Sequence, residues 1–230
     1  MGLFYMQDIW YLILVVPAFI ISMIASAMVK KTFKKYDAMP SSSRISGSNA
    51  ARKILDANGL LDVIIEPVKG ELTDHYDPRT RVLRLSQSTH DATSVAAIGV
   101  AAHEAGHAIQ HANSYLPNKV RGALVPVANI GSSVGPYLAI FGIILGMPFL
   151  VDIGIILFSV AVLFYIVTLP VEFNASLRAM RILDETNILY GDELVGARKV
   201  LTAAAMTYVA SLLVALANLA RLLILRGKRR

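Results

Sequence analysis

The chain is organised around the stretch VAAHEAGHAIQH, residues 100–111. Its small residues indicate a helix, and on a helix His103 and His107, four positions apart, project from one face about one turn from each other. Two imidazoles at this spacing can share one zinc ion, and the intervening Glu104 can act as a general base toward water. The stretch therefore predicts a helix that carries part of a metal site.

The predicted helix begins after a Thr93 cap and runs through Gln110, with Asn113 near its end. Gly99 and Gly106 interrupt it, and each costs about 1 kcal/mol of helix propensity relative to alanine. Small residues at so many positions leave room for other elements to approach the backbone. The two glycines therefore indicate a packing or site constraint.

The residues before this helix predict a small α+β region. Ser46 or Ser48 can cap a short helix that Gly59 ends, and segments 63–68 and 81–85 have the composition of strands. The second segment alternates apolar and basic residues, which predicts an edge strand. We hypothesise that it aligns an extended substrate by strand addition.

Composition predicts a membrane protein. Of the 230 residues, 55% are hydrophobic. Four segments are long enough to cross a bilayer, which needs about 20 apolar residues, and they lie at residues 9–29, 122–147, 151–169 and 201–225. The first could be a signal peptide, but its long apolar run, without a basic stretch before it, favours a retained anchor.

The charged residues predict topology rather than a nucleic-acid partner. The chain has 22 Lys and Arg against 16 Asp and Glu, and much of this excess lies beside apolar segments. Lysines and an arginine at positions 30–44 put the end of the first span in the cytoplasm, and the hairpin of spans two and three returns residues 171–200 to that side. The basic end, residues 226–230, would then lie outside, against the positive-inside rule. Either it is an exception or the fourth segment does not fully cross.

The third metal ligand must be a histidine or a carboxylate, because the chain contains no cysteine. His111 is excluded as a ligand by geometry, since it would lie about 12 Å along the helix from His103 and about 80° around it. The longer H-E-x-x-H-x-x-G-x-x-H pattern would need glycine at Gln110 and histidine at Asn113. We therefore predict that His111 lies at the surface or behind the ligands.

Glu172, just past the third span, is the favoured third ligand. It is predicted to lie on the same side of the membrane as the histidines, and Ser176 shares its helix face, where it could support a ligand. Glu185 and Glu193 lie in sequence typical of loops and caps. The competing interpretation of Glu172 is an interfacial charge in water.

The chain resembles the YugP-like neutral zinc metallopeptidases of bacterial membranes over nearly its whole length. The stretches that carry the resemblance are LTDHYDP (72–78), VAAHEAGHAIQH (100–111), ALVPVAN (123–129), PVEFNAS (170–176) and GARKVL (196–201). The resemblance implies a multi-pass membrane zinc endopeptidase.

The chain is more remotely similar to the HtpX and CAAX-prenyl proteases, which pair H-E-x-x-H with a downstream E-x-x-x-D. This similarity implies that His103, His107 and Glu172 bind zinc and that Glu104 is the catalytic base. Ser176 stands where those relatives have aspartate, and a hydroxyl can hydrogen-bond but supplies no charge.

The predicted fold class is mainly α: a multi-pass membrane protein of about four transmembrane helices with a small α+β, zincin-like cytoplasmic metalloprotease region. The predicted parts are an anchor (1–30), a catalytic region (31–118), a transmembrane hairpin (119–170), a cytoplasmic segment with the third ligand (171–200), and a last transmembrane helix with a basic tail (201–230).

The predicted function is peptide-bond hydrolysis in proteins at or near the cell membrane, with Zn²⁺ as cofactor and the active site on the cytoplasmic side. The partners are protein or peptide substrates and the lipid bilayer, not nucleic acid. The candidate donors to the oxyanion are His75, Tyr76, Arg178 and Arg181. The alternatives are a membrane scaffold or chaperone with a structural zinc site, disfavoured because such a site needs no base such as Glu104, and a metal transporter, disfavoured because the spans contain few ionisable residues.

Overall fold

The computed structural model describes residues 8–227. Part of the basic tail in the topology argument, Lys228 to Arg230, lies outside the described residues. The described chain is mainly helical, with one small sheet. Its elements are α1 (Tyr11–Asp37, beginning with a π-helical turn), α2 (Gly47–Ala57), β1 (Ile64–Val68), β2 (His75–Asp77), β3 (Val82–Ser86), α3 (Gln87–His90), α4 (Val95–Ala112), α5 (Leu116–Leu145), α6 (Pro148–Glu185) and α7 (Gly191–Gly227).

Four helices are long and apolar enough to cross a membrane: α1, α5, α6 and α7. Each covers nearly all of one of the four segments predicted from the sequence, and α5 ends at Leu145, two positions before the predicted end of its segment. The predicted number of spans is confirmed at the level of length and composition. Each helix also extends beyond its apolar segment. A helix of 38 residues such as α6 is about 57 Å long, well beyond the roughly 30 Å of a bilayer's hydrocarbon core.

The described chain divides into two compact units. The helical unit consists of residues 8–26, 119–170 and 206–227, and the mixed unit consists of residues 27–118 and 171–205. The mixed unit contains the sheet, α2, α3 and α4, together with parts of the long helices. All the predicted site residues lie in it.

Within the helical unit, α5 and α6 approach closely at glycines. A methyl group on Gly131 would collide with the carbonyl oxygen of Leu157, so this position excludes any side chain. Arg221, a polar exception among the apolar segments, is paired: its Nε lies 2.7 Å from the Asp8 carboxylate, and both side chains are 2% exposed. An ion pair this deeply buried needs both partners, because either charge alone would be uncompensated.

Serine side chains cap the N-termini of α2 and α4. Ser46 accepts a hydrogen bond from the amide of Asn49 and caps α2. Of the two predicted caps, Ser46 and Ser48, the first is therefore confirmed. The predicted Thr93 cap of α4 is wrong by one position. Ser94 is the cap because its hydroxyl, rather than that of Thr93, accepts a hydrogen bond of 3.1 Å from the backbone amide of Ala97.

The sheet has the order β1-β3-β2, with β1 parallel and β2 antiparallel to β3. The prediction of an edge strand at residues 81–85 is therefore wrong: β3 is central, because β1 pairs with one of its sides and β2 with the other. Its amides and carbonyls are already paired, so the hypothesis of substrate addition there fails. The strand at the edge next to α4 is the short β2.

Helix α4 is the centre of the mixed unit, and most of its residues are buried. Its glycines allow the close approach that the sequence indicated. A methyl group on Gly106 would lie 2.8 Å from the carbonyl oxygen of Ala175 in α6, and one on Gly99 would lie 3.2 Å from the Ala197 side chain in α7. These contacts bring α6 and α7 against the helix that carries the histidines.

Candidate metal centre

The structure brings His103, His107 and Glu172 together. One ligand atom from each lies within 4.8 Å of the others. The Oε2 atom of Glu172 is 3.3 Å from Nε2 of His103 and 3.6 Å from Nε2 of His107. The two histidine side chains are 14% and 13% exposed and the glutamate is 2% exposed. The three groups therefore form a compact, mostly buried cluster within the mixed unit.

The donor set of this cluster fits a catalytic zinc ion. Two imidazoles and one carboxylate are a ligand set of zinc hydrolases, in which a further position is left for water. The other ring nitrogen of each histidine is also engaged: Nδ1 of His103 lies 3.1 Å from the Ser176 hydroxyl, and Nδ1 of His107 lies 3.0 Å from Oε1 of Gln110. Such contacts orient ligating histidines, and they leave both Nε2 atoms directed at the carboxylate.

The cluster is electrostatically coupled. Burial, the largest single influence, lowers the pKa of the His107 imidazole. The hydrogen bond and charge of Glu172, the charge of Glu104 and the hydrogen bond of Gln110 together outweigh it, so the pKa of His107 lies above its ordinary value. A negative charge thus stabilises positive charge at this point. The same field favours a metal cation there.

Glu104 lies beside the cluster rather than in it. It is 8% exposed, and its Oε2 accepts a hydrogen bond of 3.0 Å from the backbone amide of Tyr76 in β2. The Tyr76 hydroxyl in turn lies 3.0 Å from Nδ1 of His111, and burial raises the pKa of the Tyr76 phenol, so it stays protonated near neutral pH. His111 is outside the ligand cluster, where the helix geometry predicted it.

Four other residues considered in the sequence analysis have partners outside the cluster. His75 bonds through Nδ1 to the carbonyl of Thr73 at an exposed position. The two rejected carboxylates lie outside the cluster: Glu185 pairs with Arg181 at the surface, and Glu193 accepts two hydrogen bonds from Ser42.

Over residues 11–227 the chain matches the family described as "Putative neutral zinc metallopeptidase". The chain belongs to this family.

A curated relative of the chain comes from Bacillus subtilis (strain 168) and is described as "Putative membrane protease YugP". The two are 48% identical over 211 residues, which are 92% of this chain and 94% of the relative. No solved structure matches the chain. Family and relative together support a protease function and association with a membrane.

Two residues that the sequence did not single out lie next to the cluster: Gln110 contacts His107, and Asn174 contacts Gln110. Gln110 is fully buried on α4, and its Nε2 donates to the carbonyl of Val171 and to Oδ1 of Asn174 on α6. One signal could have pointed to Gln110, since it lies three positions after His107 and so shares its side of the helix. A lone polar residue near a helix end, however, is usually solvent-exposed.

Proposed function

We propose that this protein is a membrane-embedded zinc endopeptidase in which His103, His107 and Glu172 hold the metal and Glu104 is the general base. The observation that carries the proposal is the convergence of the three ligand groups on one buried point. Family membership supports the class of reaction. Zinc bound there would supply Lewis acidity, lowering the pKa of a water molecule and polarising the scissile carbonyl.

The surroundings of Glu104 suit it to act as the general base. The Tyr76 amide holds Oε2 of Glu104, so the other carboxylate oxygen is the one to take a proton from the attacking water and pass it to the leaving amine. The small exposed fraction of Glu104 limits competing solvent at that carboxylate. A scaffold with a structural zinc site fits less well, because such sites have four protein ligands and the cluster found among the described residues has three.

The test is Glu104→Gln in the full chain, purified in detergent. The amide cannot accept the proton, so we expect single-turnover cleavage of a library of membrane-protein fragments to fall by at least about 100-fold. Zinc content by elemental analysis should stay at the wild-type level, because Glu104 is not a ligand. Cleavage by Glu104→Gln at the wild-type rate would show that this mechanism is wrong.

We also propose that the site faces the cytoplasm of a cell membrane and acts on proteins at or near the bilayer. The lysines after the first apolar segment support this orientation. The chain has no cysteine, so single cysteines can be labelled without background. We expect an impermeant thiol reagent to label Glu71→Cys in inside-out vesicles and the control Met147→Cys in right-side-out vesicles. The reverse pattern would contradict the proposed orientation.

A further inference from the structure

Gln110 uses its whole side-chain amide while it is completely buried. Its Oε1 lies 3.0 Å from Nδ1 of His107, and its Nε2 donates to the Val171 carbonyl at 2.8 Å and to Oδ1 of Asn174 at 3.0 Å. An amide has two hydrogens to donate and one oxygen to accept. Both hydrogens are therefore used on α6, and the oxygen faces the histidine.

The orientation of this amide is fixed by groups that have one hydrogen-bonding role. The Val171 carbonyl can only accept, so the Gln110 atom facing it must be the NH₂ group. The reversed amide would place an oxygen against that carbonyl, which leaves two buried acceptors without a hydrogen between them. Oε1 must therefore face His107.

A second group fixes the same orientation from farther away. Nε of Arg178 donates to Oδ1 of Asn174 at 2.8 Å, and a guanidinium can only donate. The Asn174 atom between Arg178 and Gln110 is therefore an acceptor, and it too requires the NH₂ group of Gln110. The donor at Arg178 therefore fixes which atoms donate and which accept at Asn174, then at Gln110, and finally at His107.

We infer that Gln110 is a positioning residue that sets the tautomer of His107. Because Oε1 only accepts, Nδ1 of His107 carries the hydrogen, and the lone pair of Nε2 faces Glu172 and the metal position. The same side chain fastens α4 to the turn of α6 that carries Glu172. This inference rests on the proposed zinc site. The hydroxyl of Ser176 beside His103 differs, because it can donate or accept and so imposes no tautomer.

The experiment measures the zinc dissociation constant of the full chain in detergent by chelator competition. It also records the absorption spectrum of the cobalt-substituted protein and the thermal unfolding of the metal-free protein. In Gln110→Met the side chain keeps its approximate size but loses all three hydrogen bonds. We expect its zinc affinity to fall by about 10- to 100-fold and its cobalt spectrum to change. Gln87→Met, at an exposed position of the same unit, is the matched control and should bind zinc like the wild type.

Two substitutions of Asn174 keep the inference testable if Gln110→Met does not fold. Asn174→Asp keeps an acceptor for both Gln110 and Arg178, so its zinc affinity should match the wild type. Asn174→Leu removes the acceptor and should weaken zinc binding by about 5-fold, the equivalent of one hydrogen bond. Arg181→Leu, one turn from Arg178 but paired with Glu185, controls for loss of a basic side chain on this helix.

The outcomes separate the two claims. If the wild-type protein binds no zinc, the proposed function fails. If the wild type binds zinc and folded Gln110→Met binds it equally well, only the positioning role is overturned. Equal zinc affinity in Asn174→Asp and Asn174→Leu overturns it too, as does a loss of affinity that merely follows a lower unfolding temperature of the metal-free protein.

Discussion

The two helices that form the site contribute to it in different ways. In α4 the proposed ligands His103 and His107 are neighbours on one face, so their separation is set by the geometry of about one helical turn. In α6 Glu172 is brought in from a distant part of the sequence, and its place depends on packing at Gly106 and Ala175. One half of the site is local and the other is tertiary. In the proposed zinc site a fault in either half would weaken metal binding, but only the tertiary half is sensitive to the fit between helices.

The largest effect is expected from removing the proposed ligand that α6 contributes. Glu172→Ala leaves both histidines in place and deletes the carboxylate, and we expect zinc affinity to fall by more than the roughly 100-fold that loss of an orienting contact produces. Glu185→Ala is the control, because that carboxylate lies on the same helix and is exposed. Full zinc occupancy of Glu172→Ala by elemental analysis would remove Glu172 from the ligand set.

A smaller effect is expected from changing the fit while all ligands remain. A methyl group at Gly106 would lie 2.8 Å from the carbonyl oxygen of Ala175, so Gly106→Ala must push α4 and α6 apart. Overpacking of this kind costs about 1–3 kcal/mol of unfolding free energy, partly offset by about 1 kcal/mol of helix propensity. We expect lower zinc affinity together with a lower unfolding temperature.

The control for this change is Gly122→Ala in α5, where a methyl group would meet nothing within 4 Å. It should show the gain in helix propensity without the overpacking. If Gly106→Ala behaves like Gly122→Ala, the close approach of α4 and α6 does not govern the site.

The smallest effect on zinc affinity is expected at His103, which a hydroxyl contacts where His107 has an amide. Ser176→Ala removes the hydroxyl beside Nδ1 of His103, and we expect zinc affinity to fall by about 10-fold or less, at the low end for such contacts. Ser159→Ala on the same helix removes a hydroxyl that bonds only to the Ile155 carbonyl among its described contacts, and it should leave zinc affinity unchanged. An effect of Ser176→Ala as large as that of Gln110→Met would show that the two histidines are supported equally.

The sequence was informative where the chemistry depends on local spacing. The pairing of His103 with His107 and the exclusion of His111 follow from distances along a helix, and the four apolar segments follow from local composition and length. Glu172 required topology and a family resemblance as well, since a carboxylate after an apolar segment also has an ordinary interfacial explanation.

The sequence was uninformative where long-range pairing decides. The alternation of β3 fits an edge or a central strand, and the choice depends on β1 joining it in parallel on its second side. Gln110 shows the same limit, because its role depends on Val171 and Asn174, 61 and 64 positions further along the chain. Nothing in the local sequence around Val171 or Asn174 identifies it as a partner of Gln110.

Val171 and Glu172 are consecutive residues of α6, and both face α4. The first offers its carbonyl to Gln110, and the second offers its carboxylate to the histidines. A sliding or turning of α6 against α4 would therefore withdraw the ligand and release the amide in the same movement. The orientation of His107 and the position of the Glu172 carboxylate are therefore coupled through the packing of one turn of α6.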